Sequence, residues 1–90
     1  MSVVWIPQVL RAAAGGNKQL ELAGGSVGEV VEGLVAKYPS LRGQLLTEDG
    51  DLNRFVNVYV NGQDVRYLDG LKTAVSERDE VRLLPAMAGG

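Results

Sequence analysis

SVGEVVEGLVAKYP, residues 26–39, carries the clearest helical period in the chain. Val27, Val30, Val31, Leu34, Val35 and Tyr38 recur at the three- and four-residue steps that gather side chains into one apolar stripe. Ser26 supplies a capping hydroxyl, and Glu29, three residues on, completes a capping box. Lys37 suits the last turn, and Pro39 ends the helix. Gly28 and Gly33 lie off the stripe. Each costs about 1 kcal/mol against alanine, so packing must hold this helix.

Strand signals flank it on both sides. Upstream, Val3 to Ile6 is a β-branched and aromatic run that ends or bulges near Pro7. Arg11 to Ala14 reads as a short helical turn before Gly15-Gly16. Lys18 to Leu22 alternates polar and apolar as a half-buried strand does, and Gly24-Gly25 closes it. Downstream, Leu41 to Leu46 is another short helical turn, and residues 47–51, TEDGD, form a loop. FVNVYV, residues 55–60, puts Val56, Val58 and Val60 on one face and Phe55, Asn57 and Tyr59 on the other. Asn61-Gly62 then predicts a type I′ hairpin, with Asp64 to Tyr67 as the returning strand. Asp69-Gly70 turns again, residues 71–75 make about one helical turn, and Val81 to Leu84 is the last strand before Pro85 stops its ladder. The order strand, strand, helix, strand, strand, strand predicts a single α+β domain over residues 1–85. Its main helix packs on one face of a mixed sheet, against the valine face of Val56, Val58 and Val60. Residues 86–90 are left as a flexible tail.

Composition narrows the function. Ninety residues, 46% of them apolar and 22% charged, suffice for one modest core and argue against disorder. With no cysteine and no histidine, thiol catalysis, Ser-His and Cys-His pairs, common zinc sites and iron–sulfur ligation are excluded. The net charge of −2, with scattered basic residues, gives no footprint for nucleic acid. No apolar run reaches membrane-spanning length, and the N-terminus lacks the basic region of a signal peptide, so a cytoplasmic protein is expected. Asp49, Asp51 and Asn53 resemble the start of a calcium loop. Arg54 stands where that loop needs glycine and Val60 where it needs glutamate, so this is a solvated turn. GGNK at residues 15–18 lacks the spacing of a phosphate loop. Glu77, Asp79 and Glu80 read as surface charge. No metal site and no catalytic constellation emerges.

The terminal AMAGG remains. Its last group, the Gly90 α-carboxylate, ionises with a pKa of about 3.5 and is a poor electrophile at neutral pH. Coupling to AMP would give it a leaving group. Sulfur attack would then yield a thiocarboxylate, and attack by an amine would join it to another protein. Gly89 and Gly90, without Cβ, suit a narrow channel in a partner, and Ala86 and Ala88 keep the tail slim. Met87 either fills an apolar pocket of the partner or folds against the domain.

Residues 54–90, RFVNVYVNGQDVRYLDGLKTAVSERDEVRLLPAMAGG, resemble the ubiquitin-like sulfur carriers of the MoaD/ThiS group. The shared features are VNG, then DEV, then a strand, then P-x-x-A-G-G. FVN-x-YVN, DVR and LPA-x-AGG bring the chain nearest the branch that serves cysteine biosynthesis, and I-P-x-x-L-R agrees more loosely upstream. The resemblance implies a β-grasp (ubiquitin-like) fold with the first and last strands adjacent and parallel in the centre. It implies a carrier, not an enzyme, adenylated at Gly90 by a ubiquitin-activating-type enzyme using ATP and magnesium, then loaded with sulfur. In the cysteine branch, a pyridoxal-phosphate synthase supplies the aminoacrylate that accepts the sulfur, and a metalloprotease releases cysteine. Those cofactors belong to partners, and none is expected on this chain. Met87 departs from the smaller valine usual in that tail.

Partner docking is expected on the sheet face away from the helix, through Phe55, Tyr59 and Leu84 with Arg66 and Arg82 nearby; the bland alternative is isolated surface apolars. Three functions stay open. The first is a sulfur carrier, for cysteine ahead of molybdopterin, thiamine, thiosugar or secondary-metabolite sulfuration. The second is a modifier conjugated to lysines, and the third a binding module with an idle tail. A monomer that pairs transiently is expected.

Overall fold

The protein's structure, a computed structural model, describes residues 1–85. Strand β1 spans Ser2–Trp5 and is followed at Pro7 by helix α1, Gln8–Arg11, and a 3-10 turn over Ala12–Ala14. Strand β2 covers Gln19–Leu22, helix α2 Val27–Lys37, and a second 3-10 turn, Pro39–Leu41, leads into helix α3, Arg42–Leu45. Strands β3, Val56–Val60, and β4, Gln63–Asp64, form the hairpin, and β5, Glu80–Pro85, ends the described chain. The sheet order is β2-β1-β5-β3-β4. β1 and β5 run parallel, with Val4 opposite Val81 and Trp5 opposite Arg82, and all other pairings are antiparallel. This is the β-grasp arrangement, with the parallel central pair that the resemblance implies.

The helical stripe behaves as its spacing predicts. Val27, Val30, Val31, Leu34 and Val35 are buried and share one core with Val4, Val56, Val58, Val60, Val81 and Leu83. Alternation along β3 and β5 sends Val56, Val58, Val60, Val81 and Leu83 inward, while Tyr59, Arg82 and Leu84 emerge on the other face. The cap forms with one difference. Ser26 Oγ accepts from Glu29 N–H at 3.2 Å, but the Glu29 carboxylate reaches past the cap to Gly25 N–H at 3.0 Å. Val27 N–H, an orphan donor of the first turn, is taken by Thr73 O at 2.9 Å.

The two helical glycines, alike in sequence, differ here. A Cβ on Gly28 would stand 3.1 Å from Leu71 O, so glycine lets the 70–72 turn lie against the helix start. A Cβ on Gly33 would meet nothing closer than Ala23 O at 4.0 Å. Gly33→Ala is expected to raise stability by about 0.4–1 kcal/mol, read as a higher denaturant midpoint at unchanged slope, whereas Gly28→Ala gains nothing.

The hairpin is the expected type I′ turn: Asn61 and Gly62 both have positive φ, at 50° and 85°. Its return is shorter than expected. Only Gln63 and Asp64 pair with β3, and Val65–Tyr67 winds into a 3-10 turn. The cause is local. Asp64 Oδ1 accepts from Arg66 N–H at 2.9 Å, so the aspartate caps a turn instead of continuing a strand.

Asn61 also ties the hairpin to the loop before β5. Its Nδ2 donates to Asp79 Oδ1 at 2.8 Å, and its Oδ1 accepts from Glu80 N–H at 2.9 Å. Asp79 Oδ2 accepts from Ser76 N–H at 2.8 Å. That backbone donor, then the Asn61 amide, holds the Asp79 carboxyl below its ordinary value of 3.8. A depressed folded pKa stabilises fully above the unfolded value and is lost as pH falls through the folded one. The stability gap between wild type and Asp79→Ala should therefore be open at neutral pH and close as pH drops below 3.8, followed by urea unfolding at each pH.

Candidate functional site

The outer sheet face is built by register. The parallel β1–β5 pairing sets Trp5 beside Arg82, and the β3–β5 pairing sets Arg82 beside Tyr59, giving a row Trp5–Arg82–Tyr59 across three strands. The Arg82 guanidinium lies over the Trp5 ring, 4.9 Å from its centroid, while its Nε donates to Glu80 Oε1 at 2.9 Å. Leu84, exposed, stands opposite Asn57 one row nearer the end of β5. Of the expected docking residues, Tyr59, Arg82 and Leu84 thus share one face.

Arg66 is placed at the margin of that face and is engaged in structure. Its guanidinium donates to Asn57 Oδ1, to Asn53 O at 2.9 Å and to Val56 O at 2.7 Å. It clamps the turn after β4 onto the start of β3. Phe55 is elsewhere. It precedes β3 and lines a groove of about 360 Å³ with Val9, Leu10, Gly43, Gln44, Asn53, Val56 and Pro85. Gly90, Gly89, Ala88, Met87 and Ala86 lie outside the described residues; the strand that leads to them ends at Pro85, paired with Val56.

Trp5 is the residue that sequence reasoning missed. Its indole Nε1 is shielded from solvent and has no hydrogen-bond partner among the described residues. The signal was available: Val4 and Ile6 face the core, so alternation alone puts Trp5 on the outer face. Its neighbour across the parallel pairing was not readable locally. A depression of about 130 Å³ beside it is lined by Pro7, Arg11, Arg82 and Leu84; Arg82 stacks on the indole, and Arg11 Nε donates to Ile6 O at 3.0 Å. Chemically this face offers aromatic and cationic contact, not acid–base or metal chemistry. Among the described residues no group of three His, Cys, Asp or Glu could hold a metal, and no helix is long and apolar enough to cross a membrane.

A small β-grasp domain whose outer sheet face carries an aromatic and cationic row and whose last strand leads to Gly-Gly invites comparison with known carriers. The ThiS family model matches residues 4–90, almost the entire chain. The chain belongs to the ThiS family. Within that family, the sulfur carrier protein CysO of Mycobacterium tuberculosis is 44% identical over 89 residues, spanning 97% of this chain and 96% of that protein. Small archaeal modifier protein 3 of Haloferax volcanii is 45% identical over 65 residues, spanning 72% of this chain and 70% of that protein. A chain in the crystal structure of the Amycolatopsis orientalis BexX/CysO complex matches with a TM-score of 0.91 at 39% identity, covering 100% of both chains. As a sulfur carrier of the CysO/ThiS type, this ThiS-family chain is not an enzyme.

Proposed function

We propose that the chain carries sulfur for cysteine synthesis as a thiocarboxylate on Gly90. The observation that supports this is the 44% identity to CysO over nearly the full length of both proteins. In the proposed cycle, a ubiquitin-activating-type partner brings ATP and magnesium to the tail. A Gly90 carboxylate oxygen attacks the α-phosphorus of ATP, pyrophosphate leaves, and an acyl-adenylate forms. Hydrosulfide, or an equivalent sulfur donor, attacks the acyl carbon, AMP leaves, and one oxygen of the carboxylate has been exchanged for sulfur. The thiocarboxylate then delivers its sulfur to an acceptor synthase.

The chain's own residues contribute binding and reach. Tyr59, Arg82 and Leu84, with Trp5, present the docking face. Arg82 and Arg11 favour an acidic partner surface. Ala86 to Gly90 thread the partner's channel, with glycine at the two positions nearest the nucleotide.

The test is intact mass spectrometry after incubation with an adenylating partner, ATP and sulfide. The expected shift is that of one oxygen replaced by one sulfur, localised to Gly90. An unmodified mass, with the partner competent on another carrier, would sink the proposal. A second reading, a modifier joined to lysines, is favoured by the 45% identity to small archaeal modifier protein 3. It predicts high-mass conjugates in cells that vanish when Gly90 is removed.

A further inference from the structure

We infer that the groove at the end of β5 receives an apolar side chain of the adenylating partner, flanked by a partner carboxylate that meets Arg54. The inference rests on the proposed activation of Gly90. It concerns a different surface from the Trp5–Arg82–Tyr59 row.

Four observations converge on this groove. Val9 and Phe55 are 71% and 61% exposed, and they come from distant parts of the chain to line the same space. One exposed apolar residue needs no explanation, but two facing one groove form a patch. Gly43 of α3 forms part of the wall, and a Cβ built on it would meet nothing within 4 Å, so a larger side chain has room at that edge of the recess. Pro85, the last described residue, is itself a lining residue. Five residues separate it from the reacting carboxylate, a span of at most about 18 Å when fully extended. An active site that takes hold of Gly90 must therefore bring its entrance close to the groove. Finally, Arg54 stands over the Phe55 ring at 5.2 Å and makes no ion pair among the described residues. The other polar residues of the wall, Gln44 and Asn53, are uncharged. The groove thus offers an apolar recess with one cation at its rim, which is complementary to an apolar anchor next to a carboxylate.

The recess is filled or spoiled without touching the core. Val9→Glu places a charge at its mouth, and Gly43→Leu occupies it with a better helix former. The measurement is steady-state adenylation, followed as pyrophosphate release, with an adenylating enzyme that charges the wild-type chain. Each variant is expected to raise KM for the carrier about tenfold while kcat stays within about twofold, as loss of a docking contact requires. Arg54→Glu should raise KM and flatten its dependence on salt. Thermal melts check that each variant is folded.

The inference is overturned if Val9→Glu and Gly43→Leu both melt as wild type does and keep KM within about twofold. It is also overturned if either variant lowers KM, since the groove would then hold the chain's own tail. A wild-type dimer in sedimentation that Val9→Glu dissolves would overturn it in favour of a second copy. If no such enzyme charges the wild-type chain, the proposed function itself fails and the inference with it. Unchanged variants beside an active wild type remove the groove alone.

Discussion

Removal of Gly89 and Gly90 is expected to abolish adenylation and to leave the melting temperature unchanged. The two halves of this result have separate causes. The core is complete without the last residues: Leu83 is the last fully buried side chain of β5, and Pro85 is already exposed. The chemistry, by contrast, requires the carboxylate at one point. Ending the chain at Ala88 withdraws it by two residues, about 7 Å of extended chain, and sets a methyl group beside it. A displacement of about 1 Å can cost 100-fold in rate, so the fall should exceed the range of a pyrophosphate-release assay. Gly90→Ala separates length from sterics: it keeps the reach and adds only a Cβ, and it should slow adenylation less than the deletion does. If the truncated chain still accepted AMP, the reacting group would be a side-chain carboxylate and the proposed cycle would be wrong.

What could be read from the sequence follows the range of the interactions. The α2 stripe, its Ser26 cap and the Asn61-Gly62 turn depend on residues within a few positions of each other, and all three appear as expected. Alternation along β3 correctly sorted Val56, Val58 and Val60 from Tyr59. The parallel pairing of β1 with β5 joins residues from opposite ends of the chain, and no local period reports it; it came from the resemblance. The same limit explains what was missed at the candidate site. Trp5 meets Arg82 only through that pairing, and Phe55 shares a groove with Val9 only once α1 and the end of β5 are brought together. Arg66 shows a subtler case. Its position after the hairpin placed it near the outer face, but three acceptors at the start of β3 claim its guanidinium. Sequence gave its neighbourhood and not its occupation. The two helical glycines differ for a similar reason, since Leu71, which crowds Gly28, lies far along the chain.

Leu83→Ala should lower stability by about 2–5 kcal/mol, the range for truncating a buried leucine where neighbours cannot close the void. Leu83 is 2% exposed, opposite Val58, on the strand that lies between β1 and β3. The pairing with Val58 of β3 holds its backbone, and Arg82 just before it is paired with Trp5 of β1, so little collapse is available. A domain of this size has roughly 5–15 kcal/mol in total. For a chain of 60–100 residues each kcal/mol moves the melting temperature by about 4–8 °C, so a fall of about 10 °C or more is expected in a thermal melt. A shift of under about 2 °C would mean that the inner face of β5 is not packed as described. The same variant separates fold from function. The Leu83 side chain faces the core, away from the outer face of the sheet, so adenylation below its melting range should proceed at the wild-type rate. Loss of activity while the domain is still folded would show that β5 does more than carry the tail: its exact seating between β1 and β3 would then be what aims Gly90 at the partner.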